Sequence, residues 1–432
     1  MVQLPRPRDS GDDPGARPAG DGSIATLDAA TIAGSMVSEA LRQEDFVDAV
    51  LSATRSFLDM DVAFIGEFSQ GSRIFRYVDN ASGCAAVQVG AGDELELSYC
   101  QRVVDGRLPE LINDAAALPA AADLVATRAL PVGAHLSVPI LLSDGTVYGT
   151  FCSFAHTPKD DLHVRDLAVM RMLAALVAGH LERQRDLRRQ TEEDRTRVRQ
   201  VIAEHAFRTV FQPIVDLRDN RVIGYEALTR FALGTPTDWF EMAARTGSAV
   251  ALEMATLIAA VDEVASLPVG AYLAVNVSPD ALCSPEFQDL VDILPLGRLV
   301  LELTEQTSVD RPDLLLRVDA LRRRGARFAV DDAGAGYSGL QRILSVAPDI
   351  VKLDRDLISG IDRDAARQSL ARAMCWFTER GGKVLVAEGI ETAAERAALV
   401  RLGIRYGQGY LLGRPGALPE HDAVPMAEER PA

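Results

Sequence analysis

The chain is poor in the residues that build thiolate metal sites, disulfide frameworks and polyanion grooves. Of 432 residues, five are cysteine and six are histidine. The cysteines are Cys84, Cys100, Cys152, Cys283 and Cys375, an odd count with no C-x-x-C pair. That spacing argues against a disulfide framework and a cysteine zinc site, and for reduced, mostly buried thiols. Aromatics are only 6% against 48% hydrophobic residues, so the cores rest on Ala, Val, Leu and Ile. Basic charge is also short: 45 Lys and Arg face 62 Asp and Glu, a formal net charge of -17. So acidic a chain repels nucleic-acid polymers, while a small phosphate ligand held through cations stays open. The longest apolar helix candidate, Leu167 to Leu181, is broken by Arg171 and His180. It is too short to span a bilayer. The opening Met1-Val2-Gln3-Leu4-Pro5 has no apolar signal-peptide region, so a cytoplasmic protein with no membrane insertion is expected.

What is present divides the chain. Residues 1–24 are rich in Pro, Gly, Asp and Arg and are expected to be a disordered tail. Residues 40–182 read as one α/β domain. Phe46, Val47, Val50, Leu51, Phe57 and Leu58 recur at helical spacing. Strands follow at 62–68 and 74–77, then at 135–142 and 146–154 around Asp144-Gly145, a hairpin signal. A closing helix starts near Leu162. Residues 183–206 have high helix propensity without Gly or Pro. With Leu181 just before them, their strong apolar positions are only Leu187, Val198, Val201 and Ile202. They fit either a solvated connecting helix or one strand of a parallel dimer coiled coil.

From 207 to 415 short β-branched runs alternate with longer helical segments. Strand candidates are 221–225, 271–275, 298–301, 327–330, 349–351, 383–387 and 406–407. Helices are expected at 238–246, 252–267, 312–324, 365–380 and 393–402. Repeated β-then-α units predict a parallel sheet closed into a (β/α)8-type, TIM-like barrel. Residues 416–432 are expected to be a flexible tail.

Nearly every barrel strand ends on a carboxylate, an amide or a lysine: Glu226, Asn276, Glu302 with Glu305, Asp331 with Asp332, Lys352 with Asp354, Glu388 with Glu391, and Gln408. In a parallel barrel these ends share one face, where barrel enzymes keep their active sites. A single acid at a strand end is ordinarily just solvated. A ring of at least five needs protons or cations to neutralise it. Oxygen ligands without His or Cys favour Mg²⁺ or Mn²⁺. Adjacent Asp331 and Asp332 suit a bridge between two ions, an arrangement that serves attack by activated water on a phosphodiester. Lys352 offers a cation for the water or the phosphate. Spacing alone leaves an enolase-like or aldolase-like metal barrel equally open.

The same residues resemble, motif by motif, the EAL family of cyclic di-GMP phosphodiesterases. Phe211-Gln212-Pro213-Ile214 looks like the family's opening segment. Glu226-Ala227-Leu228, followed by Arg230, is similar to its name-giving signature. Asn276-Val277-Ser278, Glu302-Leu303-Thr304-Glu305, Asp331-Asp332, Lys352-Leu353-Asp354, Ala387-Glu388-Gly389-Ile390-Glu391 and Gln408-Gly409-Tyr410 follow in order. The resemblance implies one metal on Glu226, Asn276, Glu302 and Asp331, and a second on Asp331, Asp332 and Glu388. It implies Glu388 and Lys352 as the groups that activate and orient water, with Glu226 also catalytic. Gln212, Leu228, Arg230, Gln408 and Pro415 would bind substrate, and Glu305 would anchor the loop after Asp332. The implied reaction is hydrolysis of cyclic di-GMP to linear pGpG with two Mg²⁺ or Mn²⁺ ions. No cyclase signature of the G-G-D-E-F type is present. Ala333, Ala335 and Gly339 stand where the family has Phe, Thr and Ser, so altered basal turnover is expected. A catalytically silent receptor and an interaction scaffold are the alternatives.

Residues 40–182 resemble a GAF sensory domain through Ser98-Tyr99-Cys100-Gln101 and the runs 136–140 and 149–152. The ligand of that domain is not legible. Cys100 and Cys152 offer a chromophore or redox site, weighed against buried structural thiols. His135, His156 and His163 show no ligand spacing. The resemblance implies regulation of the barrel through residues 183–206 within a homodimer.

Overall fold

A computed structural model of the chain describes residues 45–83, 85–303, 311–331 and 343–419, together with Gly34. The chain divides into two compact units, Met1–Leu187 and Arg188–Ala432.

In the first unit, helix α1 (Phe46–Phe57) precedes strands β1 (Val62–Ser69), β2 (Ser72–Asn80) and β3 (Gly92–Glu94). Helix α2 (Tyr99–Val104), capped by the Ser98 side chain, leads to β4 (Leu111–Ile112), β5 (Ala134–Leu141) and β6 (Val147–Ala155). The strands form one antiparallel sheet ordered β3-β2-β1-β6-β5-β4. The Asp144-Gly145 turn joins β5 to β6 as expected, with Gly145 at φ +82° and Asp144 accepting the Thr146 amide. Strand alternation sorts the sheet into two cores. Ala63, Ile65, Leu136, Val138 and Ile140 pack with Val50 and Leu51 of α1, and with Met170, Leu173 and Val177 of α3 (Val164–Ala203). Val62, Phe64, Cys152 and Phe154 pack on the other face with Tyr99 and Cys100 of α2.

The second unit begins with the end of α3. Val198 is fully buried against Ala243 and Leu252, with Val201 and Ile202 packed beside it. Three of the apolar positions weighed for a dimer seam are thus taken up within this unit, while Leu187 stays exposed. Strands β7 (Phe207–Asp216), β8 (Val222–Phe231), β9 (Tyr272–Val277), β10 (Leu299–Leu303), β11 (Arg327–Val330), β12 (Ile350–Leu353), β13 (Val384–Ala387) and β14 (Tyr406–Gly407) close into one barrel. Between them lie α4 (Pro236–Arg245), α5 (Ala249–Val261), α6 (Pro312–Arg323), α7 (Ala365–Arg380) and α8 (Ala393–Arg401).

The barrel corrects the all-parallel expectation. β7 was not among the expected strands, and it runs antiparallel to both β8 and β14. A tight turn through Asn220 at φ +63° connects β7 to β8, so this step is a hairpin and not a crossover. Alternation again sorts the side chains. Leu273, Val275, Leu301, Phe328, Val351 and Leu385 face the helices. Ile214, Tyr272, Ala274, Val300, Ala329, Ile350 and Val386 fill the barrel interior. With both faces buried, the strands read as nearly continuous apolar runs. The first residues of the expected C-terminal tail are held as well. Gly416 pairs with Phe211, and Leu418 packs on the core.

Candidate active site

The polar groups at the barrel mouth follow from the period of two along each strand. An inward apolar residue is succeeded two positions later by an inward polar one: Ala274 by Asn276, Val300 by Glu302, Ala329 by Asp331, Ile350 by Lys352, Val386 by Glu388 and Tyr406 by Gln408. β7 and β8 add Gln212 and Glu226, which face each other across their antiparallel pairing. All eight strands therefore supply one polar group, on the strand or on the residue just after it.

Lys352 stands in the middle, 1% exposed. Its Nζ lies 3.0 Å from Glu302 Oε2, 3.6 Å from Glu226 Oε2, 3.7 Å from Asp331 Oδ1 and 2.5 Å from Glu388 Oε1. Burial opposes its charge, but the four carboxylates outweigh burial and raise its pKa well above the ordinary lysine value. Burial also pushes Glu302 well above the carboxylate range, with Lys352 opposing and the neighbouring acids adding to the rise. Glu388 is pushed up to about 8, first by burial and then by Asp331 and Glu226, against the pull of Lys352. Its Oε1 is buried, and among the described residues its contact is the Lys352 ammonium. Gly389, at φ +66°, turns the backbone directly after it.

An amide layer orients Glu226. Gln408 Nε2 donates to Glu226 Oε2 and, at 3.0 Å, to Gln212 Oε1. Asn276 Nδ2 donates to Glu226 Oε1 at 3.4 Å, and Gln212 Nε2 donates to the Gly413 carbonyl at 3.1 Å. Asp354 lies outside this ring and caps the short helix Arg355–Ile358. Glu391 pairs with Arg355. Pro415 is half-buried next to the Gly416 bridge. Asp332, Glu305 and the loop with Ala333, Ala335 and Gly339 lie outside the described residues.

A cavity of about 300 Å³ adjoins the ring, lined by Leu228, Arg230, Glu253, Asn276 and Ser278 among others. Arg230 Nη1 donates only to its neighbour Thr229 O in the described contacts. Glu253, on α5, was not foreseen from the sequence. Its Oε2 accepts the Ser278 amide at 2.9 Å, and burial raises its pKa. A signal was there: Glu253 is the one charge in the apolar helix Ala249–Val261.

Donor chemistry fits hard divalent cations. The ring offers carboxylate and amide oxygens with no thiol or imidazole, and its four acids face a single ammonium. Among the described residues, no three His, Cys, Asp or Glu side chains already converge as a finished metal cage.

In the first unit Cys100 and Cys152 are both fully buried, their Sγ atoms 3.4 Å apart. His135 is buried and packs at a tilt against the Tyr99 ring, and among the described residues its Nδ1 has no hydrogen-bond partner. Burial and nearby Arg73 hold its pKa down at about 3. Among the described residues no helix is long and apolar enough to cross a membrane.

An eight-stranded barrel with an acidic mouth built strand by strand defines a class, and sequence comparison places the chain within it. The family model of the EAL domain matches residues 195–415 and that of the GAF domain matches residues 40–182. The chain belongs to the EAL domain family and carries a GAF domain ahead of the barrel. An uncharacterized protein of Mycobacterium tuberculosis is 32% identical over 245 residues, 52% of this chain and 79% of that protein. The probable cyclic di-GMP phosphodiesterase PdeN of Escherichia coli is 31% identical over 52% of this chain, and the match spans 46% of PdeN. The solved EAL enzyme Bd1971, in a cAMP-bound form, is similar in fold over 83% of this chain and 91% of its own, with TM-score 0.50 and 18% identity.

Proposed function

We propose that the chain hydrolyses one phosphodiester of cyclic di-GMP to give linear pGpG, with two divalent cations, Mg²⁺ or Mn²⁺, at the barrel mouth. The observation that carries this reading is the ring itself: eight strands each present one polar group, and four carboxylates surround one buried lysine. The relatedness to PdeN, named a probable cyclic di-GMP phosphodiesterase, supports the substrate.

Glu226, Asn276, Glu302 and Asp331 are assigned to one ion, and Asp331, Asp332 and Glu388 to the other. Bound, the two ions supply a water of lowered pKa and positive charge for the phosphoryl oxygens. The protein's own groups do the rest. Glu388 is assigned to take a proton from the attacking water, in the carboxylate form that bound cations would favour over the protonated form its burial favours without them. Lys352, 2.5 Å away, fixes that carboxylate and keeps a positive charge beside the phosphate. Gln408 and Asn276 hold both oxygens of Glu226 in one orientation. Gln212, Leu228, Arg230, Gln408 and Pro415 bind the substrate, and the adjoining cavity takes one guanosine half of it. Glu253 there offers a carboxylate suited to the N1–H and N2–H edge of guanine. Glu305 anchors the loop after Asp332.

The GAF domain is assigned the regulation of this activity, in a cytoplasmic homodimer. A barrel fragment that tests this must begin before Arg195, because Val198 belongs to the barrel's packing. The central test is pGpG release from cyclic di-GMP with and without Mg²⁺ or Mn²⁺, with Glu226→Ala as control. Metal-dependent release lost in the variant is expected. Tight binding of cyclic di-GMP with no turnover in either metal would replace the hydrolase with a receptor.

A further inference from the structure

The GAF interior holds a second built cluster, separate from the acidic ring. Cys100 enters from α2 and Cys152 from β6, 52 positions apart in sequence, and their sulfurs touch at 3.4 Å. Arg73 Nη1 donates to Cys100 Sγ at 3.1 Å. Ser137 Oγ lies 3.0 Å from Cys152 Sγ, and Thr150 Oγ1 lies 3.2 Å from it. Arg73 is itself buried against the rings of Phe64 and Phe75, and it also pairs with Asp93.

Two inert thiols in a core need none of this. They pack as small apolar groups and tolerate a dry environment. A buried guanidinium, by contrast, is costly unless it faces negative charge. Here its inner nitrogen is spent on a sulfur. The arrangement suits a thiolate at Cys100 and a protonated thiol at Cys152. Burial opposes ionisation of Cys100, yet the Cys152 hydrogen bond and Arg73 draw its pKa down to about 6. Burial and the neighbouring charge push Cys152 the other way. One sulfur is thus prepared as nucleophile and its neighbour as resolving thiol. No third His, Cys, Asp or Glu completes a metal site around the pair among the described residues.

We propose that Cys100 and Cys152 are a redox modification site, oxidised to an intramolecular disulfide by a hydroperoxide small enough to reach the interior. The Cys100 thiolate attacks one peroxide oxygen and the O–O bond breaks. This gives a sulfenic acid at Cys100 and releases hydroxide, or alkoxide from an organic peroxide. Cys152 sulfur then attacks Cys100 sulfur. The S–S bond forms as the S–OH bond breaks, and the leaving hydroxide takes the Cys152 proton as water. Two thiols are oxidised and one peroxide is reduced, and a dithiol reductant reverses the change. The sulfurs close up by on the order of 1 Å. The product staples α2 to β6. It also strips Arg73 of its thiolate, leaving Asp93 as the sole anion on that guanidinium in the described contacts.

The test treats the full-length protein with hydrogen peroxide, unfolds it in an alkylating reagent and measures intact mass. The expected result is loss of two of the five alkylatable thiols, recovery with dithiothreitol, and a cross-linked peptide joining Cys100 to Cys152. Cys84 shares a tryptic segment with Cys100, so Cys84→Ser must leave the cross-link unchanged. In Cys152→Ser, dimedone should label Cys100, and in Cys100→Ser it should leave Cys152 unlabelled. Arg73→Lys should slow oxidation about tenfold by placing a differently shaped cation beside the thiolate. Five thiols still alkylating after peroxide would overturn the proposal, as would a cross-link through Cys84, Cys283 or Cys375. The wild-type thiol count decides the matter even where a variant fails to fold.

Discussion

Both domains bury one long cation, and the two are surrounded differently. Lys352 sits among four carboxylates, whereas Arg73 meets one half-exposed carboxylate, one sulfur and two aromatic faces. Around Arg73 the charges nearly cancel within the protein. Around Lys352 they do not, and buried excess charge must be relieved by protons or by cations from solution. That imbalance, and not burial of a cation as such, is what the proposed two-cation site at the barrel mouth rests on.

The largest effect expected from this contrast is on turnover. Glu388→Gln keeps the shape of the side chain but removes its capacity to take a proton and weakens its hold on an ion. A fall in kcat of about a thousandfold is expected, with cyclic di-GMP binding measured separately and largely kept. A variant that turns over within a few fold of the wild type would remove Glu388 from the chemistry.

The contrast itself is tested by deleting each cation. Lys352→Met leaves four acids uncompensated and should cost the metal-free barrel about 3 kcal/mol at pH 8, with Mg²⁺ restoring much of the loss. Arg73→Met places an apolar chain against two rings, its Asp93 partner free to hydrate and Cys100 free to protonate, and should cost about 1 kcal/mol with no response to Mg²⁺. Hydrogen exchange reads both domains in one sample. Equal indifference to Mg²⁺ would break the comparison.

If the proposed cations bind the ring, protons and cations compete for the same carboxylates, and this fixes the sign of a pH effect. Glu388 has its pKa raised from an ordinary 4.5 to about 8 in the folded protein. Between those values the folded state holds a proton that the unfolded chain has lost. Its contribution is therefore fully present below pH 4.5 and disappears as pH rises to about 8. Metal-free barrel stability should fall across that window, and saturating Mg²⁺ should flatten or reverse the slope because bound metal displaces the proton. Both tryptophans, Trp239 and Trp376, lie in the barrel unit, so their fluorescence follows this domain alone. A slope indifferent to Mg²⁺ would separate Glu388 from the metal.

Sequence patterning exposed some parts of this molecule and hid others for physical reasons. Seven barrel strands were legible because each is a short apolar run punctuated by one polar residue. β7 was not foreseen, because Pro213 interrupts it and a hairpin, not a helix, follows it. β3 and β4, with three and two residues, are too short to carry a period. The acids at the strand ends announced the ring, but only the closed barrel shows Lys352 at its centre. Glu253 escaped because it comes from a helix and not from a strand end. The contact of Cys100 with Cys152 depends on α2 lying across the sheet, which no local spacing encodes.

The last effect expected concerns the helix between the domains, where the sequence left two readings open. A coiled-coil seam would place Val198 against a second chain. In the structure Val198 is fully buried against Ala243 and Leu252, in the cluster that also holds Trp239 and Phe240. Truncating it removes two methyl groups from a core packed within one chain. Val198→Ala should therefore cost about 2 kcal/mol of barrel stability, read by Trp239 fluorescence, with no dependence on protein concentration. If Val198 served a dimer seam instead, the loss would appear as weaker self-association and would shrink as concentration rises. Measuring the unfolding midpoint across a hundredfold range of concentration separates the two. The packing around Val198 assigns that turn of the helix to the barrel, in line with a family match that starts at residue 195, ahead of β7.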